Sequence, residues 1–163
     1  WLDPRNGAIV ARTVAEAFAK ADPAGADGYR ARAGVFAREA QAAYERGRSA
    51  AAALPVKTLF TYHRSWTYLA DAFGLEVVST VEPVPGIPPT ARHLAALVRA
   101  AKERQVKTLL QEPYFSPDAG RFLAREAGVR VVTAAASCAD AAPGRYLEHI
   151  AGVLAALGAG APR

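Results

Sequence analysis

Four short runs of apolar and β-branched residues alternate with helical patterns after residue 55. The runs cover 56–61, 75–81, 106–111 and 129–133. Each is nearly continuous in apolar residues, as strands are when helices cover both faces of a sheet. Alternation of this kind is typical of parallel strands joined by right-handed helical crossovers. The sequence therefore predicts an α/β fold with a parallel sheet of about four strands wrapped by helices.

Helical patterns with clear end signals lie between and after these strands. The first spans 66–73, where apolar residues recur at three-to-four spacing before Gly74, a residue suited to a helix C-terminus. Capping residues and spacing predict three more helices, over 89–104, 116–128 and 143–157.

The residues before the first strand contain two helical patterns. Asp3 and Pro4 open the first pattern as cap and first-turn proline, and Asp22-Pro23 ends it. The second pattern runs over 24–53, about 45 Å of helix, which exceeds the roughly 30 Å diameter of a domain of this size. We therefore expect this helix to brace a second part of the protein. The expected organisation is a helical segment over 1–54, an α/β lobe over 55–158 and a disordered tail over 159–163.

The composition is that of a globular protein, with 52% hydrophobic and 21% charged residues. A single cysteine excludes an internal disulfide, and no apolar run approaches the ~20 residues that a membrane span needs. The net charge of +5 comes from arginines scattered among acidic residues. Because they form no basic run with interleaved aromatic residues, we expect no nucleic-acid partner.

Residues that follow the predicted strands form the candidate site, because ligands of an open parallel sheet bind at the carboxyl ends of its strands. His63 follows the first strand, Glu82 the second and Glu112 the third. Cys138 and Asp140 follow the fourth. An imidazole, several carboxylates and a thiol suit a borderline divalent cation such as zinc.

Each candidate also has a purely structural interpretation. His63 is also typical of a polar strand end, and Glu112 is also typical of a turn. Cys138 would suit a small buried hydrophobic position, and Asp140 would suit a helix cap. His63 and Glu112 would also suit general acid and base in a small cytosolic α/β enzyme. Glycine-rich phosphate loops and a serine nucleophile elbow are absent from the sequence.

Two further histidines, His93 and His149, fall within predicted helices among charged neighbours. We expect both to be surface residues without a role in the site.

Several segments carry a family resemblance through their order and spacing. They are Trp1-Leu2-Asp3-Pro4-Arg5-Asn6, Asp22-Pro23 with Tyr29, and the segments 61–70, 73–75, 82–89 and 109–112. Together they resemble the C-terminal half of the zinc/manganese-binding periplasmic solute-binding proteins of bacterial ABC importers. The resemblance covers essentially the whole chain.

This resemblance implies two α/β lobes joined by one long backbone helix, which corresponds to the predicted helix over 24–53. The metal would lie in the cleft between the lobes, held by residues of both. The first-lobe histidines would precede Trp1, as expected if a chain without methionine is a processed product or a fragment. The protein would be periplasmic or membrane-anchored outside the cytoplasm. It would deliver zinc, or alternatively manganese, to an ABC permease and would not be an enzyme.

The resemblance also implies roles for individual residues. His63 matches the family's second-lobe histidine ligand. The family's acidic ligand normally follows the last strand, and here Cys138 lies at or near that position, with Asp140 two residues on. The fourth ligand is therefore open between Cys138, Asp140 and water. Glu112 matches a family glutamate after the third strand, which we interpret as a residue that orients the ligands without touching the metal.

Overall fold

The computed structural model describes residues 1–55, 57–140 and 142–159. Its four strands are β1 (Thr58–Thr61), β2 (Glu76–Thr80), β3 (Thr108–Gln111) and β4 (Arg130–Thr133). They form one sheet in the order β2-β1-β3-β4, and every neighbouring pair is parallel. The predicted α/β fold with four parallel strands is confirmed.

Three strands begin later than predicted because their first predicted residues complete the preceding helix or its turn. The amide of Leu75 donates to Ala70 O, and that of Val106 donates to Ala101 O, each at 2.9 Å. The amide of Val129 closes its helix in the same way. For the first strand, predicted residue 56 lies outside the described residues.

Six helices accompany the sheet. They are α1 (Pro4–Ala21), α2 (Ala26–Ala52), α3 (Thr67–Phe73), α4 (Ala91–Glu103), α5 (Asp118–Ala127) and α6 (Arg145–Gly158). Gly74 and Gly128 end α3 and α5 with φ angles of 67° and 65°, a left-handed conformation that glycine adopts without strain. None of the described helices is both long enough and apolar enough to cross a lipid bilayer.

The long predicted helix is a single helix of 27 residues, about 40 Å, preceded by a 3₁₀ turn over Pro23–Gly25. It forms an antiparallel hairpin with α1. An ion pair joins Arg30 to Glu16 at 2.8 Å near the turn, and the Arg5 guanidinium lies 4.4 Å from the centre of the Tyr44 ring at the far end.

Alternating residues of the strands divide the core into two layers. Leu59 and Leu110 face a layer that α2, α3 and α6 cover, with Trp66 fully buried in it. Phe60 and Leu109 face the opposite layer, which α4 and α5 cover. The sheet is therefore covered on both faces, which explains its continuous apolar strands.

The start of the chain is fixed to the α/β part of the fold. The Trp1 indole N–H donates to Ala136 O and the Tyr146 hydroxyl donates to Trp1 O, both at 2.6 Å. Burial raises the pKa of Tyr146 to about 12, so this hydroxyl remains a donor at neutral pH. Of the expected tail over 159–163, residues 160–163 lie outside the described residues.

An apolar stripe on α1 is exposed to solvent. It consists of Ile9, Val10, Val14 and Phe18, which are 43–60% exposed. Trp1 extends the exposed apolar surface beyond the start of the helix. Stripes of this kind mark contact surfaces more often than free helix faces.

Gly47 allows α2 to pack closely against the lobe. A Cβ atom at this position would lie 2.5 Å from Phe73 Cε1 and 3.0 Å from Leu154 Cδ1. Phe73 and Leu154 are both buried in the core, so a shift of either side chain would disturb its packing.

We expect Gly47→Ala to lower the free energy of unfolding by about 1–3 kcal/mol, because overpacking outweighs the higher helix propensity of alanine. Gly152→Ala is the matched control in α6, since a Cβ atom there meets nothing within 4 Å. This control should stabilise the chain by about 0.5–1 kcal/mol. Urea unfolding of both variants measures the difference. Equal unfolding free energies for Gly47→Ala and Gly152→Ala would contradict the close packing at Gly47.

Candidate metal centre

His63 lies at the carboxyl end of the sheet, as predicted. The ladder of β1 continues one residue beyond the strand, because the amide of Tyr62 donates to Leu110 O at 2.9 Å. His63 follows in extended backbone and precedes a 3₁₀ turn over Arg64–Trp66. Buried Trp66 anchors this turn, while the His63 side chain stays 31% exposed. The fold thus places an imidazole at an accessible edge on a fixed backbone.

Glu82 orients the His63 ring. Its Oε2 forms a hydrogen bond with His63 Nδ1, and its Oε1 accepts from the Gly86 amide at 2.7 Å. The carboxylate is only 9% exposed. A carboxylate on Nδ1 favours the tautomer with its proton on that atom, which leaves Nε2 with a free lone pair. Among the described residues, none forms a hydrogen bond with His63 Nε2.

Aromatic rings form one side of the centre. Tyr62 and Phe115 stack with their ring centres 4.1 Å apart, and the His63 ring centre lies 6.1 Å from that of Phe115. Burial first, and then the nearby Glu82 carboxylate, raise the pKa of Tyr62, so its hydroxyl stays neutral. This apolar side restricts the positions that the imidazole can take.

Glu112 follows β3 and is completely buried. Its two carboxyl oxygens accept no hydrogen bond from any described residue. The described part of the chain also shows no hydrogen bond between Glu112 and His63. A buried carboxyl group without donors is costly and is typical of a functional position.

Cys138 and Asp140 lie together after β4. The Cys138 thiol donates to Asp140 O at 3.1 Å. One Asp140 carboxylate oxygen accepts from the Ala142 amide at 2.9 Å, and the other lies 3.2 Å from Arg145 Nε at the start of α6. Asp140 is exposed and Cys138 half-buried. Both residues thus take part in local contacts before α6.

The structure groups the predicted residues in two sets, His63 with Glu82 and Cys138 with Asp140. Across residues 1–55, 57–140 and 142–159, no three or more His, Cys, Asp or Glu side chains converge as a metal-binding group. Within the described residues, Glu82 therefore orients the His63 imidazole, but the candidate ligands do not form a closed metal site.

The expectation that His93 and His149 are surface residues is wrong. Both are half-buried. His93 Nε2 forms a hydrogen bond with Thr80 O at 2.9 Å, which ties α4 to the end of β2. His149 Nε2 is buried in α6 and has no hydrogen-bond partner among the described residues. Charged neighbours along the sequence did not reveal which face of each helix packs inward.

Sequence reasoning placed Glu82 among the candidate donors at the strand ends but did not identify it as the partner of the His63 ring. The available signal was its spacing in the segment Glu82-Pro83-Val84-Pro85-Gly86. Prolines lack an amide donor, so Gly86 is a natural partner for the carboxylate four residues earlier.

A family model described as "Zinc-uptake complex component A periplasmic", ZnuA, matches residues 1–160. A Treponema pallidum (strain Nichols) protein that is named for metal binding is 32% identical over 133 residues, 82% of this chain and 42% of its own length. The zinc-binding protein AdcA of Streptococcus pyogenes serotype M3 is 26% identical over 80% of this chain and 25% of its own length. The chain thus spans less than half of these curated relatives.

Solved structures agree with these matches. The chain resembles a crystal structure of ZnuA with a TM-score of 0.85 and 26% identity, over 97% of this chain and 57% of that one. It resembles a mutant of the laminin-binding adhesin Lmb from Streptococcus agalactiae with a TM-score of 0.84 and 28% identity. That match covers 96% of this chain and 60% of the adhesin. Both neighbours share the α/β fold described above.

Proposed function

The chain belongs to the ZnuA family of periplasmic zinc-uptake components, whose members are solute-binding transport proteins and not enzymes, and we propose that it captures a divalent transition metal outside the cytoplasm. Zinc is the proposed cargo, because the zinc-binding relatives are named for it. Manganese is the alternative, favoured only if the completed ligand set is rich in carboxylates.

One observation carries this proposal: His63 lies at the accessible edge of the sheet with its Nδ1 bound to Glu82. Histidine ligands of metals almost always donate their second ring nitrogen to a carboxylate, a carbonyl or water. Glu82 supplies that acceptor before any metal arrives. The free Nε2 is then the proposed metal-binding atom.

A second lobe completes the proposed site. Zinc takes about four ligands, and the described part of this chain brings no three of them together. We propose that histidines of an N-terminal lobe supply the others. The exposed stripe on α1 supports a contact with such a lobe, as does the share of 57–60% that the chain covers in its structural neighbours.

The helical segment over 1–54 and the lobe over 55–158 have separate proposed roles. Helix α2 is the proposed backbone between two lobes, since it is longer than the lobe is wide. The segment over 55–158 is the proposed C-terminal metal-binding lobe. An ABC permease is the proposed partner that receives the metal.

Cys138, Asp140 or water is the proposed source of the fourth ligand. Asp140 would have to exchange its contact with Arg145 for the metal, and Cys138 would have to release Asp140 O. Glu112 is proposed to orient the site without touching the metal. Its buried carboxyl group has no hydrogen-bond partner among the described residues, which is typical of a functional position.

We expect His63→Ala, in the protein with both lobes, to weaken zinc binding by about 100-fold or more, because it removes the one oriented ligand of this chain. The zinc-free variant should lose less than about 2 kcal/mol of unfolding free energy, since the side chain lies at an open edge. Calorimetric titration with zinc measures the affinity, and His149→Ala in α6 is the control that should leave it unchanged. A large loss of stability with unchanged zinc affinity would show that His63 is a structural residue.

Alkylation of Cys138 tests the fourth ligand. A thiolate bound to zinc is protected from iodoacetamide, and its binding releases a proton. If Cys138 is a ligand, zinc should slow its labelling in the protein with both lobes. Equal labelling rates with and without zinc would remove Cys138 from the metal and leave Asp140 or water. Asp140→Asn, which keeps the size of the side chain, then separates those two by its effect on zinc affinity.

A further inference from the structure

The two oxygens of the Glu82 carboxylate serve different partners. Oε2 bonds the ring of His63, and Oε1 accepts the Gly86 amide from the loop over 82–89. We propose that Glu82 is a positioning residue that couples metal occupancy at His63 to the conformation of this loop. The inference rests on the proposed function, because it requires that His63 binds the metal.

The backbone of Glu82 is fixed to the sheet. Its amide donates to Tyr62 O at 2.9 Å, and its carbonyl accepts from the Thr80 hydroxyl at 2.8 Å. The preceding residue is held as well, since the Val81 amide donates to Thr61 O. The carboxylate therefore stands on a rigid base, and the parts free to respond to it are the imidazole ring and the loop.

The loop depends on few hydrogen bonds. Four of its eight residues are prolines without an amide donor, namely Pro83, Pro85, Pro88 and Pro89. Ile87 donates to Val84 O at 2.9 Å and closes a tight turn. Gly86 within this turn has a φ angle of 80°, which favours glycine, and its amide reaches back to Glu82. This bond is the link between the turn and the metal centre.

Metal binding acts on that link through the ring. A cation on Nε2 withdraws electron density from the imidazole, so the Nδ1 proton becomes a stronger donor to Glu82. A stronger bond to the ring restricts the Glu82 side chain to one position, and in that position Oε1 stays within reach of the Gly86 amide. Because such a coupling is reciprocal, an ordered turn also favours the ring orientation that binds the metal.

The turn presents an apolar pair beside the centre. Val84 is 51% exposed and Ile87 is 52% exposed. A turn that is ordered by the metal would hold these two side chains in one arrangement, whereas a released turn would not. Metal occupancy would thereby change the surface next to the cleft.

Hydrogen exchange at the Gly86 amide, followed by NMR in the protein with both lobes, tests the coupling. Saturating zinc should slow this exchange about 5-fold or more. Glu82→Gln should abolish the effect at saturating zinc and weaken zinc binding by about 10–100-fold. Glu76→Gln is the matched control, because Glu76 begins β2, the strand that leads to Glu82, and pairs with Arg104 at the surface. This control should preserve both the zinc affinity and the slowing of exchange at the Gly86 amide by zinc.

If Glu82→Gln fails to fold, hydrogen exchange at Gly86 in the parent protein, with and without zinc, tests the coupling by itself. Unchanged exchange at Gly86, in a protein that binds zinc through His63, would overturn the coupling and leave the proposed function intact. A zinc effect that persists in folded Glu82→Gln would also overturn it. Absence of zinc binding by the parent protein would overturn the proposed function and the coupling together.

Discussion

The proposed metal centre depends on a buried carboxylate, Glu82, beside a strand-end imidazole, His63. Glu82 is almost fully buried, and its two carboxylate oxygens form hydrogen bonds with the His63 ring and the Gly86 amide. The carboxylate acceptor at Nδ1 favours the His63 tautomer with its proton on that atom, which leaves the lone pair of Nε2 free. The aromatic side formed by Tyr62 and Phe115 limits how far the ring can turn. The proposed metal capture through Nε2 would thus use contacts that exist without the metal.

The position of Glu82 depends in turn on an irregularity in the sheet. Leu59 pairs with Val77, but the next residue, Phe60, pairs with Ser79, so β2 carries one extra residue opposite β1. A shift of one residue exchanges the faces toward which side chains point. This bulge brings the end of β2 into the register in which the Glu82 amide meets Tyr62 O. The core layers on both sides hold that register in place.

The sequence was sufficient to predict the strands, the long helix and the position of His63 at a strand end. Each of these depends on a local pattern or on the order of the strands. Strand starts were misplaced where the amides of Val106 and Val129 close the preceding helices, because apolar residues suit a helix end and a strand start equally well. The role of Glu82 depends on the bulge, which no local pattern encodes. The burial of His93 depends on the packing of α4 against β2, and the ligand roles of Cys138 and Asp140 remain proposals.

The central claim is that Glu82 holds His63 with its proton on Nδ1, so that zinc binds Nε2. NMR of the ¹⁵N-labelled imidazole, in the protein with both lobes and with His63 assigned through His63→Ala, reports the state of each ring nitrogen directly. We predict a protonated Nδ1 and an unprotonated Nε2 in the zinc-free protein at neutral pH, with the zinc-induced shift on Nε2. A proton on Nε2 before zinc is added, or a zinc-induced shift on Nδ1, would contradict the account.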